Sequence, residues 1–216
     1  MPNFPDPFNL ILLLAGISLI PFMVMMVSSF VKIVVILNLI RNALGVQQVP
    51  PNMALNGLAI ILSLYVMMPV ISQTQELLQD KELQNQQMPA LIDTFSSASG
   101  PLKAFLKKHS TERQKRFFIQ TAKVMWPANQ AEQLKIDDFM VLVPAFMVSE
   151  LTSAFQIGFL IYLPFIAVDL IVSNILLALG MMMVSPMTIS LPFKILLFVL
   201  IEGWSNLIQG IILTYK

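Results

Sequence analysis

The chain is 216 residues long, 56% hydrophobic and only 12% charged, with a formal net charge of +1. An ordinary soluble domain is about a quarter charged, so lipid or partner protein must cover much of this surface. The balance of charge speaks against nucleic acid as a partner, and the lack of cysteine excludes disulfides, thiolate metal sites and cysteine nucleophiles.

Met1 to Phe8 carries Asp6 and no Lys or Arg, and the apolar run after it is far too long for the apolar core of a signal peptide. The segment therefore reads as uncleaved. From Phe8 to Ile40 the only charge is Lys32, and Met53 to Ile71 has none. A helix needs about 20 apolar residues to cross a bilayer, so these stretches predict two hydrophobic helices joined as a hairpin. Arg41 and Asn42 edge the turn, Gly45 is suited to a helix stop, Pro50 and Pro51 cannot continue a helix, and Asn52 is a good N-cap for the next one.

Residues 72–138 hold 9 of the 13 Lys and Arg and 8 of the 12 Asp and Glu. The apolar spacing of Leu102, Phe105 and Leu106, and of Phe117, Phe118, Thr121, Ala122 and Met125, predicts helices. Trp126-Pro127 ends the second of them, and Asp137-Asp138 complements the positive start of the next. The basic cluster Lys107, Lys108, His109, Arg113, Lys115 and Arg116 is nearly cancelled by neighbouring acids and is expected to be a solvated helix face. A single histidine gives no multi-histidine metal site.

Residues 139–216 are apolar again and contain Pro144, Pro164, Pro186 and Pro192. Prolines within membrane-type helices are expected to kink them, with Gly180 to Ser185 a loop between two bent units. The expected fold is all-α: a polytopic membrane-type protein with a hydrophobic hairpin over 1–71, a polar helical domain over 72–138 and kinked hydrophobic helices over 139–216. Topology stays open. The positive-inside rule would make the central region cytoplasmic but weakens for loops this long, whereas Arg41 favours a cytoplasmic turn and an outside central domain.

Lys32, Glu150, Asp169 and Lys194 lie within apolar stretches, where charges are costly unless paired or facing water. One reading is a proton or ion relay, as in a coupled secondary transporter. The other is that they pair and fix helix register; a Glu150–Lys194 bridge, within or between subunits, is the expected pair. Met181, Met182 and Met183 read either as apolar filler or as flexible side chains closing a pore. No nucleophilic triad, phosphate loop or dinucleotide fingerprint is present, so neither catalysis nor a cofactor is expected.

Three stretches go beyond composition. Arg41-Asn42-Ala43-Leu44-Gly45 continues into Val46-Gln47-Gln48-Val49-Pro50-Pro51-Asn52. Pro144-Ala145-Phe146 leads to Ser149-Glu150-Leu151 and Ala154-Phe155-Gln156-Ile157-Gly158-Phe159. Pro164-Phe165 runs through Asp169-Leu170-Ile171 to Leu179-Gly180-Met181-Met182-Met183. Together they resemble the FliP/SctR (YscR/SpaP-like) family, export-gate proteins of type III secretion, and the Gly45 to Asn52 turn resembles the virulence, or injectisome, branch. The resemblance implies a pore-forming subunit that assembles as a pentamer with two smaller classes of membrane subunit. It further implies contact with base rings, inner rod or needle, unfolded cargo and membrane lipid, and a periplasmic central domain. In the assembled gate the apolar helices would be largely raised above the bilayer, and the methionine triplet would be a gasket.

Overall fold

A computed structural model describes residues 7–46, 48–82 and 98–216. Met1 to Asp6 of the leading segment, Gln47 of the turn and residues 83–97 of the central region lie outside the described residues. Among the described residues the chain is helical without strands: α1 (Pro7–Met26), α2 (Phe30–Leu44), α3 (Asn52–Glu82), α4 (Gly100–His109), α5 (Glu112–Met125), α6 (Ala128–Ala131), α7 (Phe139–Ala178), α8 (Pro186–Leu200) and α9 (Gly203–Leu213).

The core is built around α2, which packs mainly on α7 and then on α3. Its buried residues Ile33, Ile36, Leu37, Ile40, Ala43 and Leu44 recur at helical spacing, and burying each large one stabilises the fold by about 1.5–3 kcal/mol relative to exposure. Gly158 lets α7 approach, because a side-chain carbon there would run into Leu39. A second cluster joins Met67 of α3 to Phe105 and Leu106 of α4 and to Leu142 and Phe146 of α7. The central helices α4 and α5 thus rest directly on α7, and α3 extends without interruption past Ile71 to Glu82.

Among the described residues two helices, α3 and α7, are long and apolar enough to cross a membrane alone. Leu14–Met26 of α1 with α2, and α8 with α9, are so as pairs, each bent by 63°. The bends fall where no proline stands. At the first, Ser28 and Ser29 are buried; Ser28 Oγ donates to the Met25 carbonyl at 3.2 Å, and the Ser29 and Ser63 hydroxyls are 3.2 Å apart. These hydroxyls supply polar partners where the helical ladder stops. At the second, Glu202 takes the left-handed conformation at φ 50°, a cost of about 1–2 kcal/mol for a residue with a side chain. Gly203 follows with Phe198's ring against it, leaving no room for a Cβ.

The prolines of the last third do not interrupt the helices in which they stand. Pro144 and Pro164 sit inside a single 40-residue α7, and Pro192 sits inside α8. Pro186 opens α8, where its missing N–H has no intrahelical partner to lose.

Candidate functional site

The buried charges form two separate sites. Lys32, in the first turn of α2, places Nζ 2.9 Å from Glu150 Oε1 on α7, with both side chains at most 4% exposed. A lysine near a helix start opposes the helix dipole, so the carboxylate offsets both burial and dipole. Thr214 and Tyr215, just after α9, complete the site. Lys32 Nζ reaches Thr214 Oγ1 at 3.5 Å and stands 4.2 Å above the Tyr215 ring, whose hydroxyl donates to Glu150 Oε2. A hydrogen bond to a charged group stabilises by about 1.5–3 kcal/mol. Beside Glu150, Ser149 Oγ donates to the Ala145 carbonyl at 2.7 Å and accepts from the Thr111 amide at 3.0 Å, fastening the start of α5 to α7.

An aromatic group closes this site. Phe105 stacks on Tyr215 at 6.1 Å between centroids, and His109 meets the Tyr215 edge at 5.1 Å. Burial first, then the charges of Lys32 and Lys108, hold the His109 pKa down at about 4, so the imidazole is neutral near pH 7. Burial and the Glu150 carboxylate push the Tyr215 hydroxyl well above its ordinary pKa.

The second site joins α7, α8 and the end of α2. Lys194 Nζ lies 2.5 Å from Asp169 Oδ2 and donates at 3.2 Å to the carbonyl of Ala43. The last carbonyls of a helix lack internal partners and carry its negative pole, so Lys194 also caps α2. Ser190, one turn before Lys194, donates to Asp169 Oδ1 at 2.5 Å. The Asp169 side chain is 34% exposed while Lys194 is 3% exposed, so this site reaches the surface on its acidic side.

The expected bridge between Glu150 and Lys194 is therefore corrected within the chain: Glu150 pairs with Lys32, and Lys194 with Asp169. Each lysine stands at a different end of α2, and the 11 residues from Lys32 to Ala43 separate the two by about 16 Å along the axis.

The hairpin turn is held by Arg41. Its Nη2 donates to Asn38 Oδ1 at 3.0 Å, and its Nη1 to the Pro50 carbonyl at 3.4 Å and to the side-chain oxygen of Asn52. Asn52 thus engages Arg41 across the turn. Gly45 caps α2 at φ 78° with its amide on the Asn42 carbonyl, and the Pro51 carbonyl accepts from the Ala54 and Leu55 amides.

The methionines occupy the tip between α7 and α8. Gly180 turns the chain at φ 72°, its amide donates to the Leu177 carbonyl at 3.0 Å, and the Met181 amide to that of Leu176 at 2.9 Å. Met182 is 82% exposed and Met183 wholly so. In the basic cluster, Lys108, Arg113 and Arg116 are exposed as a solvated face requires, but Lys115 is buried against Glu112 at 2.6 Å and His109 belongs to the aromatic group. Among the described residues no group of His, Asp and Glu could hold a metal ion.

Thr214, Tyr215, Ser149 and Ser190 are the site residues that sequence reasoning passed over. Ser190 carried a signal, standing four residues before Lys194 on the same helix face. Tyr215 carried only its chemistry, an apolar ring with a polar tip.

Four apolar helical units, two of them bent, around a core helix tied at both ends by buried charge, define a multi-pass helical membrane protein. The family model for FliP matches residues 13–211. The chain belongs to the FliP family of type III secretion proteins. It is 54% identical over 215 residues to the Yop proteins translocation protein R of Yersinia pestis, covering 100% of this chain and 99% of that one. It is 49% identical over 213 residues to the hypersensitivity response secretion protein HrcR of Ralstonia nicotianae, covering 96% and 97%. To the virulence protein YscR of Salmonella typhimurium it is 45% identical over 216 residues, covering 99% and 100%.

Proposed function

We propose that the chain is the pore-forming subunit of a type III export gate, assembling with copies of itself as a pentamer and with two smaller classes of membrane subunit. It passes unfolded protein across the bacterial inner membrane toward the base rings, inner rod or needle. Its work is to build and seal a conduit rather than to catalyse a reaction. The central region, 72–138, lies on the periplasmic side between the apolar hairpin of 1–71 and the gating helices of 139–216.

The observation that carries this reading is the methionine tip. Met182 and Met183 stand free of the chain's own core, on a hairpin whose helices are fixed by the Asp169–Lys194 pair. Flexible thioether chains presented this way suit a ring that closes on itself yet yields to varied cargo, and an apolar constriction bars ions by dewetting. A second support is the apolar surface the chain leaves uncovered, with Phe155, Phe159, Leu163, Leu170 and Ile171 of α7 all exposed.

The test replaces Met181, Met182 and Met183 together with Ala. Assembly is expected to persist, and membranes carrying the variant to conduct small ions; unchanged conductance would remove the gasket role. A transporter using Glu150 or Asp169 as a proton carrier is less well supported, since both oxygens of each carboxylate are engaged, Glu150 by Lys32 and Tyr215 and Asp169 by Lys194 and Ser190. An assembly on a detergent column several times the mass of one chain favours the gate.

A further inference from the structure

We propose that Tyr215 is a positioning residue for the buried Lys32–Glu150 pair, a latch that keeps the pair dry and joins the α8–α9 arm to α2, α7 and α4 at one side chain. A buried ion pair stabilises a fold only when the remaining hydrogen-bonding capacity of both ions is met. Lys32 has three N–H donors and Glu150 two acceptor oxygens. After Lys32 and Glu150 Oε1 have met at 2.9 Å, the further polar and ring contacts to both ions among the described residues come from one dipeptide: Thr214 Oγ1 and the Tyr215 ring for the ammonium, and the Tyr215 hydroxyl for Glu150 Oε2.

Tyr215 is itself fixed from the other side. Its ring lies nearly parallel to Phe105, at 14°, with His109 at its edge; both belong to α4. The ring cannot leave the ammonium without unstacking from α4, and the hydroxyl cannot leave the carboxylate without exposing an acceptor that burial has stripped of water. The chain therefore uses one tyrosine for two purposes, packing through its ring and charge completion through its oxygen, and the two can be separated by substitution.

The experiment uses complexes carrying the full chain, extracted in mild detergent. Lysines are acylated with an amine-reactive reagent and the modification of Lys32 is compared with that of exposed Lys108 by mass spectrometry. Tyr215→Phe keeps the ring and removes the hydroxyl. It is expected to raise the relative modification of Lys32 on the order of tenfold, the population change that losing one charge-assisted hydrogen bond corresponds to; Tyr215→Ala should raise it further. Lys32 as protected in Tyr215→Phe as in the native complex would overturn the proposal and leave Tyr215 a packing residue. As a second readout, thermal unfolding of Tyr215→Phe is compared in the native background and in Lys32→Met/Glu150→Leu. The loss should be confined to the native background, and an equal loss in both would overturn the proposal. If the apolar background does not fold, the labelling decides. The inference rests on the export reading for its setting only; neither readout uses secretion, so failure of the latch and failure of that reading are distinguishable.

Discussion

Helices α1 and α2 come from one apolar run and meet opposite fates. In α2, Ile33, Ile36 and Leu37 are fully buried, whereas in α1 Leu14, Ile17, Ile20 and Phe22 are all more than half exposed. Both are rich in Leu, Ile and Val, so apolarity identifies what must leave water without saying what covers it. What separates them is polar: α2 carries Lys32 and Arg41, each with a partner outside the helix, and α1 has no charged residue. A charge inside an apolar helix is tolerable only where neighbours are arranged to receive it, so it marks the helix around which the chain organises itself.

The largest test of this contrast removes Lys32. Lys32→Ala strands Glu150 in the core and is expected to cost about 3–5 kcal/mol, read as a loss of thermal stability in detergent. Next, Leu37→Ala in α2 should cost about 2–5 kcal/mol, while Leu14→Ala in α1 should stay within about 0.5 kcal/mol for the chain's own fold and instead lower the yield of assembled complex. Equal losses from the two would erase the distinction between the helices.

Asp169→Asn is expected to cost less than Lys32→Ala, about 1–3 kcal/mol. Asp169 reaches solvent, and Lys194 keeps the Ala43 carbonyl. A further effect is one of pH. His109 titrates near 4 in the fold against 6.5 for a free side chain, so the unfolded chain binds more protons between those values. Its contribution is complete above about pH 6.5 and is lost as pH falls toward 4. His109→Phe should flatten the stability profile in that window, and an unchanged slope would place the dependence elsewhere.

Much of this organisation could be read in the residues. Trp126-Pro127 ends α5, and Gly180 opens the loop before α8. Had the hairpin been followed through, it would also have given the second ion pair. Asp169 lies eleven residues before Gly180 and Lys194 nine after Ser185, so two antiparallel helices folded about that loop bring them opposite one another. Lys32–Glu150 had no such geometry to reveal it, because the two stand on helices separated by the whole central region. The two 63° bends were not legible: they fall at Ser28-Ser29 and Glu202-Gly203, where no proline stands, and Ser-Ser or a single Gly is weak punctuation in sequence.

The span of α7 has a consequence for where the molecule can sit. Forty residues of continuous helix reach about 60 Å, twice the roughly 30 Å thickness of a bilayer's hydrocarbon. No upright or ordinarily tilted placement hides that length in lipid, yet oily side chains point outward from Phe155 to Leu179. Whatever part stands clear of the acyl chains needs a proteinaceous sheath, and in the proposed pentamer sister helices of equal reach would supply it.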